Sequence, residues 1–252
     1  MPGTIQNFLA GIRRRETWYQ KAIYNTAVGL RHVRLPFPKF FGFFFFNLRN
    51  MWLTFWRRFK QFVFYEPMFR YRCTQVGKAV YFESNFPLVL GYGSVIVGDK
   101  VRFSGNITLI VSYKANPNPT ITIGSDVYLG FGTILACADR ITVGNRVLMA
   151  HGVQIYDNNT HPLDPEARAR NLPVEKENVA PVVIEDDAWI GAGAVIMRGV
   201  TIGYGSVVAA QSVVTRDIPP MSVAAGNPAR VVKSLTSNNS DVKSSAMQER
   251  GA

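Results

Sequence analysis

The chain has 252 residues, of which 47% are hydrophobic, so it is long enough for one large domain or a domain with an appended segment. Its formal net charge of +11 lies in the first 72 residues, which hold 13 Lys and Arg and only two Glu. We therefore expect this N-terminal segment to meet any anionic partner. Cys73 and Cys137 form neither a CxxC pair nor a disulfide framework, which indicates a reducing compartment.

The first 36 residues are basic, and their pattern favours helix until Pro36 and Pro38, which would end one. We expect no secretory signal peptide, because polar residues follow the run Arg13-Arg14-Arg15 where an apolar core should stand. The sequence therefore predicts a protein on the cytoplasmic side of the cell membrane.

Residues 37–64 are dominated by aromatic side chains, with 11 of the 17 phenylalanines and two tryptophans, Trp52 and Trp56. At helical spacing the apolar side chains form one stripe, and most of the cations and amides lie opposite. The longest uncharged run, residues 40–48, has nine residues, whereas a membrane span needs about 20. The segment thus predicts an amphipathic helix lying on an anionic membrane surface. The alternative is a stripe that packs on the rest of the chain or in an oligomer interface.

From about residue 71 the pattern changes to a period of six. Across residues 184–219, six successive hexads begin with Ile or Val and carry Ala, Val, Ser or Ile at the fifth place. This period is the signature of a hexapeptide parallel β-helix, in which stacked coils build the core that no single coil could bury. We expect the first-place side chains to point inward, the fifth-place side chains to fill the corners, and the coils to begin shortly after residue 75.

The repeat is imperfect in three places. The step from Ile123 to Val143 is 20 residues where three hexads give 18, which predicts a two-residue bulge at one corner. Residues 111–120 cannot continue a coil, because two prolines there remove ladder donors. Residues 157–183 form a long insertion, of a kind that is usually functional, before the repeat resumes at Ile184. The tail, residues 236–252, is predicted to be disordered.

Five motifs in this order resemble those of the hexapeptide-repeat O-acetyltransferases, above all the maltose, galactoside and colanic-acid-type exopolysaccharide acetyltransferases. They are Asn159-Thr-His161-Pro-Leu-Asp-Pro-Glu, Val183-Ile-Glu-Asp-Asp-Ala-Trp189-Ile-Gly, Arg198-Gly199-Val-Thr-Ile-Gly203, Val213-Val-Thr215-Arg-Asp-Ile-Pro-Pro and Gly226-Asn-Pro-Ala-Arg-Val. The resemblance covers about residues 70–235. It implies an all-β fold, a left-handed parallel β-helix of hexapeptide repeats that departs from the usual right-handed crossover. It also implies a homotrimer with acetyl-CoA in a cleft between neighbouring subunits.

Acetyl transfer from a thioester to a hydroxyl needs a base for the hydroxyl proton and donors for the oxyanion. His161 matches the catalytic histidine of the family, so we assign it as the general base; imidazole suits this task near neutral pH. The alternative is a histidine that merely bonds the turn before Pro162. His151, in the third place of the Met149 hexad, is expected to be a second candidate base, a cleft residue or an exposed turn residue.

Several neighbours of His161 are candidates for orienting it or the acceptor. Asp157, Asn158 and Asn159 could do so, although such side chains in turns often bond their own backbone. Trp189 resembles the family tryptophan that packs near the catalytic histidine; the alternative is a corner-filling core residue. The family often has an asparagine near the hexad that begins at Leu129, where this chain carries glycines at positions 130 and 132.

The resemblance also assigns contacts with acetyl-CoA. Ala192 and Ala210 would line the pantetheine channel, Thr215 and Arg216 would lie near the adenine, and Arg230 and Lys233 would meet phosphate. The alternative for these basic residues is simple solvation. We expect no metal and no nucleic acid. A β-helical carbonic anhydrase needs about three zinc-binding histidines, and the repeat region has only His151 and His161.

The sequence therefore predicts three segments: a basic, Phe-rich, membrane-associated helical segment at 1–70, an acyltransferase β-helix at 71–235 and a tail at 236–252. The predicted function is acetyl-CoA-dependent O-acetylation of a sugar hydroxyl on a lipid-linked saccharide or polysaccharide precursor. The protein would be attached peripherally to the inner face of the cell membrane. The alternative is a catalytically silent trimeric membrane scaffold with the same fold.

Overall fold

The computed structural model describes residues 10–15, 17–32, 38–112 and 116–235. They belong to two compact units, Met1–Thr54 and Phe55–Ala252. The boundary lies before residue 70, because residues that follow Phe55 pack on the first coil of the β-helix: the Gln61 amide donates to the Val80 carbonyl over 3.3 Å, and Phe69 is fully buried. The tail predicted at 236–252, like Pro36, falls outside the described residues.

The N-terminal part of the described chain is helical. Residues 10–14 are helical, α1 spans Trp18–Arg31, and α2 begins at Lys39, directly after Pro38, and runs to Lys60. The Gln20 side chain accepts the Thr17 backbone N–H over 3.1 Å and so caps α1. No residue of α2 is buried. In the described part of the chain, no helix is both long enough and apolar enough to cross a membrane.

An aromatic cluster closes the N-terminal end of the second unit. A π-helical turn, Gln61–Tyr65, leads into α3, Glu66–Arg72, which has Pro67 in its first turn. The ring of Phe69 on α3 lies 5.2 Å from the rings of both Phe82 and Phe103 in the first coils. Repeat proteins need such end caps, because the terminal coil has no neighbour to cover its core.

Within the described residues, twenty strands form three sheets. The first sheet contains β1 (Gln75–Val76), β4 (Ser94–Val97), β7 (Thr120–Ile123), β10 (Arg140–Val143), β13 (Val182–Ile184) and β16 (Thr201–Ile202). The second contains β2 (Tyr81–Phe82), β5 (Arg102–Phe103), β8 (Tyr128–Leu129), β11 (Leu148–Met149), β14 (Trp189–Ile190), β17 (Val207–Val208), β19 (Ser222–Gly226) and β20 (Ala229–Ser234). The third contains β3 (Leu88–Gly91), β6 (Thr108–Val111), β9 (Ile134–Cys137), β12 (Gln154–Tyr156), β15 (Val195–Ile196) and β18 (Val213–Val214).

Successive strands of the chain visit the three sheets in turn, and neighbours within each sheet are parallel, so the unit is a three-sided parallel β-helix. The antiparallel pair β19 and β20 ends it. Coils begin at Gln75, as the sequence predicts.

The hexad positions behave as predicted. The first-place and fifth-place side chains of residues 184–218 are all at most 4% exposed. They are Ile184, Ile190, Ile196, Ile202, Val208 and Val214 at the first place, and Ala188, Ala194, Val200, Ser206, Ser212 and Ile218 at the fifth. Each coil therefore contributes an aliphatic layer to one continuous core, with small or β-branched residues at its corners.

The predicted bulge between Ile123 and Val143 is wrong. β7 and β10 pair in uniform register over four residues each, whereas the corresponding regular strand β16 has two. β9 is lengthened in the same way, so both strands extend towards a tight corner at Ala138 and Asp139. The two extra residues lengthen the strand pairing and do not interrupt it. The backbone N–H groups at this corner donate to the Asp157 carboxylate.

A ladder of polar side chains joins the coils at the corner between the first and second sheets. Asp99 accepts the Lys78 backbone N–H over 2.6 Å, and Ser125 Oγ accepts that of Asp99 over 3.0 Å. Asn145 accepts the Ser125 N–H over 2.9 Å, and Asp186 accepts the Asn145 N–H over 2.7 Å. Each coil thus satisfies a corner donor of the preceding one, which strand pairing alone would leave unpaired.

Candidate functional site

A cavity of about 260 Å³ lies where the long insertion meets the third sheet. Its sheet wall comes from β6, β9 and the residues after them, and its other wall comes from the insertion. The lining residues are Ile110, Ser112, Ala136, Cys137 and Ala138 on the sheet side, and Asn158, Thr160, His161, Asn171, Leu172, Pro173 and Val174 on the insertion side. The insertion contains α4, Pro165–Ala169, and a 3-10 turn, Lys176–Asn178.

Asp157 anchors the start of the insertion. Its carboxylate is fully buried and accepts the backbone N–H groups of Ala138 and Asp139, each over 2.7 Å. Its backbone carbonyl accepts the Ala180 N–H over 2.8 Å, so the two ends of the insertion are held together. The carboxylate therefore binds the backbone of the tight corner at Ala138 and Asp139, so any influence of Asp157 on His161 is indirect.

Asn158 shapes the turn that carries His161. Its side-chain nitrogen donates to Asp157 Oδ1 over 2.8 Å, and its side-chain oxygen accepts the Thr160 backbone N–H over 2.6 Å. Thr160 has a φ of 63°, a left-handed conformation that is unfavourable for a β-branched residue. Such conformations persist where the surroundings enforce them, and they concentrate at functional sites. Asn158 thus fixes the backbone immediately before His161.

The imidazole of His161 has no hydrogen-bond or ion-pair partner among the residues that the structure describes. The turn is closed by the backbone, because the His161 N–H donates to the Asn159 carbonyl over 2.7 Å. Pro162 after it is buried. The ring is exposed and lines the cavity, so its two nitrogens are available to a ligand there. This arrangement does not support the alternative in which the ring serves only to bond the turn.

Cys137 lies in the same cavity wall, and its environment makes it unreactive. Its thiol is 1% exposed and donates to the Thr120 carbonyl over 3.4 Å. Burial, reinforced by the negative charge of Asp157, raises the pKa of the Cys137 thiol far above its ordinary range. The thiolate needed for covalent chemistry is therefore suppressed, and His161 is the candidate reactive group of the cavity.

Comparison with known proteins identifies the family to which the chain belongs. The family described as bacterial transferase hexapeptide (six repeats) matches residues 181–216. The chain is 32% identical over 144 residues to SAR2635 of Staphylococcus aureus, a candidate acetyltransferase by name. These residues make up 57% of this chain and 68% of that protein. The chain belongs to the hexapeptide-repeat acetyltransferase family.

Other relatives agree with this assignment. The galactoside O-acetyltransferase of Lactococcus lactis is 39% identical over 123 residues, which cover 49% of this chain and 56% of that enzyme. The solved structure of AntD, an N-acyltransferase from Bacillus cereus in complex with dTDP and 3-hydroxybutyryl-CoA, covers 74% of this chain and 96% of that chain. Its TM-score is 0.55 at 19% identity, so it supports the fold alone. The repeat and this fold imply a left-handed coil.

Family membership confirms the predicted resemblance to the hexapeptide-repeat acetyltransferases. The chain spans 44% to 68% of the length of the curated relatives it matches. Their names therefore identify the family, and the activity of this chain depends on its own site.

The residues to which the family resemblance assigns a role lie at two different corners of the β-helix. His151, Ala192 and Ala210 stack at the corner between the second and third sheets, where Gly193 N–H donates to the His151 carbonyl over 2.9 Å. Thr215 and Arg216 are exposed at the corner between the third and first sheets, on the same corner as the insertion that carries His161. One chain therefore does not bring the small residues and the candidate base to one corner.

Three further predicted residues lie on the second sheet. Trp189 on β14 is 50% exposed and aligns with Leu148 and Val207, so it is not a corner-filling core residue. Arg230 and Lys233 are exposed on β20, on the closing hairpin. These cations are accessible to an anionic ligand, and the structure places them on a different side from the His161 cavity.

A steric reason explains the glycine at position 130. A Cβ at Gly130 would lie 2.4 Å from the carbonyl carbon of Ala150 in the next coil. An asparagine at this place would require the coils to separate. The residue that sequence reasoning missed is Arg198, whose side chain holds the insertion: its Nε donates to Asn159 Oδ1 over 3.1 Å. The signal was present in the sequence, since Arg198 stands in one of the family motifs.

Proposed function

We propose that this protein is an acetyl-CoA-dependent O-acetyltransferase that acts on a sugar hydroxyl. The observation that carries the proposal is the exposed His161 imidazole, uncommitted to other described residues, at the wall of a cavity built by the insertion. Its relatives include galactoside O-acetyltransferases, which supports a sugar acceptor. His161 is the general base.

In the proposed reaction, the acceptor hydroxyl oxygen attacks the thioester carbonyl carbon while the His161 imidazole takes the hydroxyl proton. The carbon–sulfur bond then breaks, and the protonated imidazole returns the proton to the departing sulfur. Acetyl-CoA supplies the activated acetyl group. Asn158 and Arg198 act as positioning residues, because Asn158 holds the Thr160 N–H and Arg198 holds the Asn159 side chain in the turn before His161.

We further propose a homotrimer in which a neighbouring subunit completes the site. Within one chain, Ala192 and Ala210 lie at one corner of the β-helix and His161 lies at another. A neighbouring subunit would place its own small-residue corner opposite the His161 cavity, and the small side chains would let a pantetheine arm approach the backbone. Arg216, Arg230 and Lys233 are exposed cations that suit the phosphates and the adenine end of the donor.

The acceptor, in our proposal, is a lipid-linked saccharide or polysaccharide precursor at the inner face of the cell membrane. Support comes from α2, a helix of about 33 Å in which no residue is buried. Phe43 is 69% exposed and Phe46 is 63% exposed. Aromatic and cationic side chains together are typical of helices at the membrane interface.

The decisive experiment is a thiol-release assay with acetyl-CoA and candidate glycoside acceptors on wild type, His161→Asn and His151→Asn. We expect His161→Asn to lose turnover by about 10²–10⁴-fold, as for removal of a general base. Circular dichroism should be unchanged, and His151→Asn should retain turnover. Full turnover in His161→Asn would exclude its role as base.

Two further measurements test the rest of the proposal. Calorimetry with coenzyme A should show binding, and binding without turnover would favour the silent scaffold. Co-sedimentation with vesicles of phosphatidylcholine and phosphatidylglycerol should capture the full chain, less so at high salt. The double change Phe43→Gln and Phe46→Gln should release it, whereas Phe131→Gln, which alters an exposed Phe on the β-helix, should not. Equal sedimentation of all three proteins would contradict attachment through α2.

A further inference from the structure

We propose that a groove on the first coil of the β-helix holds the apolar chain of the acceptor. The inference rests on the proposed acetyltransferase function and locates a site for the lipid part of its substrate. The groove has a volume of about 510 Å³. Its lining includes Pro67, Met68, Tyr71 and Arg72 of α3, Phe86 just before β3, and Leu88 at the start of β3.

The lining has the chemistry of a hydrocarbon site. Met68 and Leu88 are about half exposed, although both are large apolar residues that gain from burial. Phe86 packs against the aromatic end cap and forms a rigid wall, with its ring 6.4 Å from that of Phe69. Concave apolar surfaces of a few hundred Å³ are typical of binding sites. The groove is therefore a preformed place for a chain that would otherwise contact water.

The groove leads along the outer face of the third sheet to the His161 cavity. Leu88 and Leu90 belong to β3, which pairs with β6 so that Leu90 lies beside Ile110. Ile110 lies beside Ala136 of β9, and both line the cavity. With strands about 4.8 Å apart and a rise of about 3.3 Å per residue, Leu88 lies within about 10 Å of Ile110. One extended amphiphile could therefore occupy both places.

Arg72 lies between the two places. Its guanidinium donates to the carbonyl of Gly91, the last residue of β3, which pairs with Val111 next to Ile110. A guanidinium carries five N–H donors and binds phosphate well. The order of groups along this face is thus apolar groove, cation and base, which matches an acceptor built from a hydrocarbon chain, a phosphate and a sugar. This match favours an amphiphile over a second copy of the chain as the occupant.

A chain-length series tests the inference. The thiol-release assay would use methyl, octyl and dodecyl β-D-glucosides and β-D-galactosides below their micelle concentrations. We expect kcat/KM to rise with chain length. Leu88→Gln should lower it about tenfold for the dodecyl glycoside and leave the methyl glycoside and the KM for acetyl-CoA unchanged. The matched control is Leu148→Gln, which changes a similarly exposed leucine on the second sheet and should have no effect.

A labelling experiment gives a readout that does not need turnover. A dodecyl glucoside with a photoreactive diazirine at the chain end should label peptides that contain residues 67–72 and 86–90, in wild type and in His161→Asn. Excess dodecyl glucoside should suppress the labelling, and methyl glucoside should not. Labelling at the groove without turnover in any assay would remove the acetyltransferase proposal and retain the chain site.

Three results would overturn the chain site. Turnover that ignores chain length would do so and leave the acetyltransferase proposal intact. Labelling that avoids residues 67–72 and 86–90 would place the chain elsewhere. A change of oligomeric state in Leu88→Gln, measured by light scattering, would make the groove an interface between copies of the chain.

Discussion

Arg198 donates from Nε to Asn159 Oδ1 over 3.1 Å, which joins a regular corner of the β-helix to the turn that carries His161. The same guanidinium reaches the Glu177 carbonyl over 3.3 Å and the Asn178 side-chain oxygen over 3.5 Å. One side chain therefore holds both the first and the last part of the insertion. Because Arg198 belongs to the regular coil that follows the insertion, the repeat fixes the position of the insertion.

We expect Arg198→Ala to lower kcat about tenfold and to leave the fold intact. Charged hydrogen bonds typically contribute about 1.5–3 kcal/mol, so their loss lets the insertion leave the productive geometry part of the time. The KM for acetyl-CoA and the shape of the pH–rate profile should stay unchanged, since Arg198 does not line the His161 cavity. Arg198→Lys should recover part of the rate, because it keeps the charge without the planar fork.

Hydrogen exchange provides the readout for loop position. Amides of residues 158–180 should exchange faster in Arg198→Ala, and the core strands should be unaffected. Arg140→Ala, which removes an exposed arginine from β10, is the control and should match wild type in both assays. Wild-type exchange in the insertion of Arg198→Ala would show that Arg198 does not hold it.

The sequence alone was sufficient for the repeated part of the fold. A period of six constrains every coil at once, so the inward positions from Ile184 to Ile218 follow from pattern without any tertiary information. His161 could also be identified from the sequence, because a histidine in a long insertion within a regular repeat combines a reactive side chain with an unusual position. The resemblance then supplied its role.

The corner chemistry could not be read from the sequence. Asp157, Asn158 and Arg198 act through hydrogen bonds to backbone that is 18 to 22 residues away, and Arg198 also binds the Asn159 side chain, 39 residues away. Such partners depend on how the coils stack and on where extra residues are absorbed. The predicted bulge failed for this reason, since the buried Asp157 carboxylate lets β9 and β10 extend to a tight corner.

We expect Asp157→Asn to destabilise the protein by about 2–4 kcal/mol, because it replaces a buried carboxylate that accepts two backbone N–H groups by an amide with one acceptor. The denaturant midpoint should fall, and part of the turnover should be lost with it. Asp126→Asn is the control, since Asp126 pairs with Lys100 at the surface over 3.6 Å and such pairs contribute about 0–1 kcal/mol. Equal midpoints for the two variants would contradict the anchoring role.

The polar ladder predicts a dependence of stability on acid. Hydrogen bonds from the backbone and side chain of Asn145 lower the pKa of Asp186, and a hydrogen bond from Arg146 lowers the pKa of Asp187. Because these pKa values are lower in the folded chain than in the unfolded chain, the stabilisation is fully present above about pH 4. It is lost as the pH falls through the lowered values.

The measurement is the urea midpoint of wild type and of Asp186→Asn between about pH 6 and pH 2.5. The wild-type midpoint should fall more steeply below about pH 4, because the variant has no carboxylate at position 186 to become protonated. Both carboxylates are partly exposed to solvent, so salt should reduce the difference. Parallel curves for the two proteins would mean that Asp186 titrates alike in the folded and unfolded chain.

Both cysteines should resist alkylation in the folded protein. Burial raises the pKa of Cys73 to about 12, against the opposing effect of Arg72, and burial also raises the pKa of Cys137. At about pH 8, iodoacetamide should react with either thiol at least about 100-fold more slowly than in concentrated guanidinium. Mass spectrometry of the native and unfolded protein measures this ratio for each peptide. Rapid native labelling of Cys137 would show that the wall of the His161 cavity opens to solvent, and it would return that thiol to consideration as a reactive group.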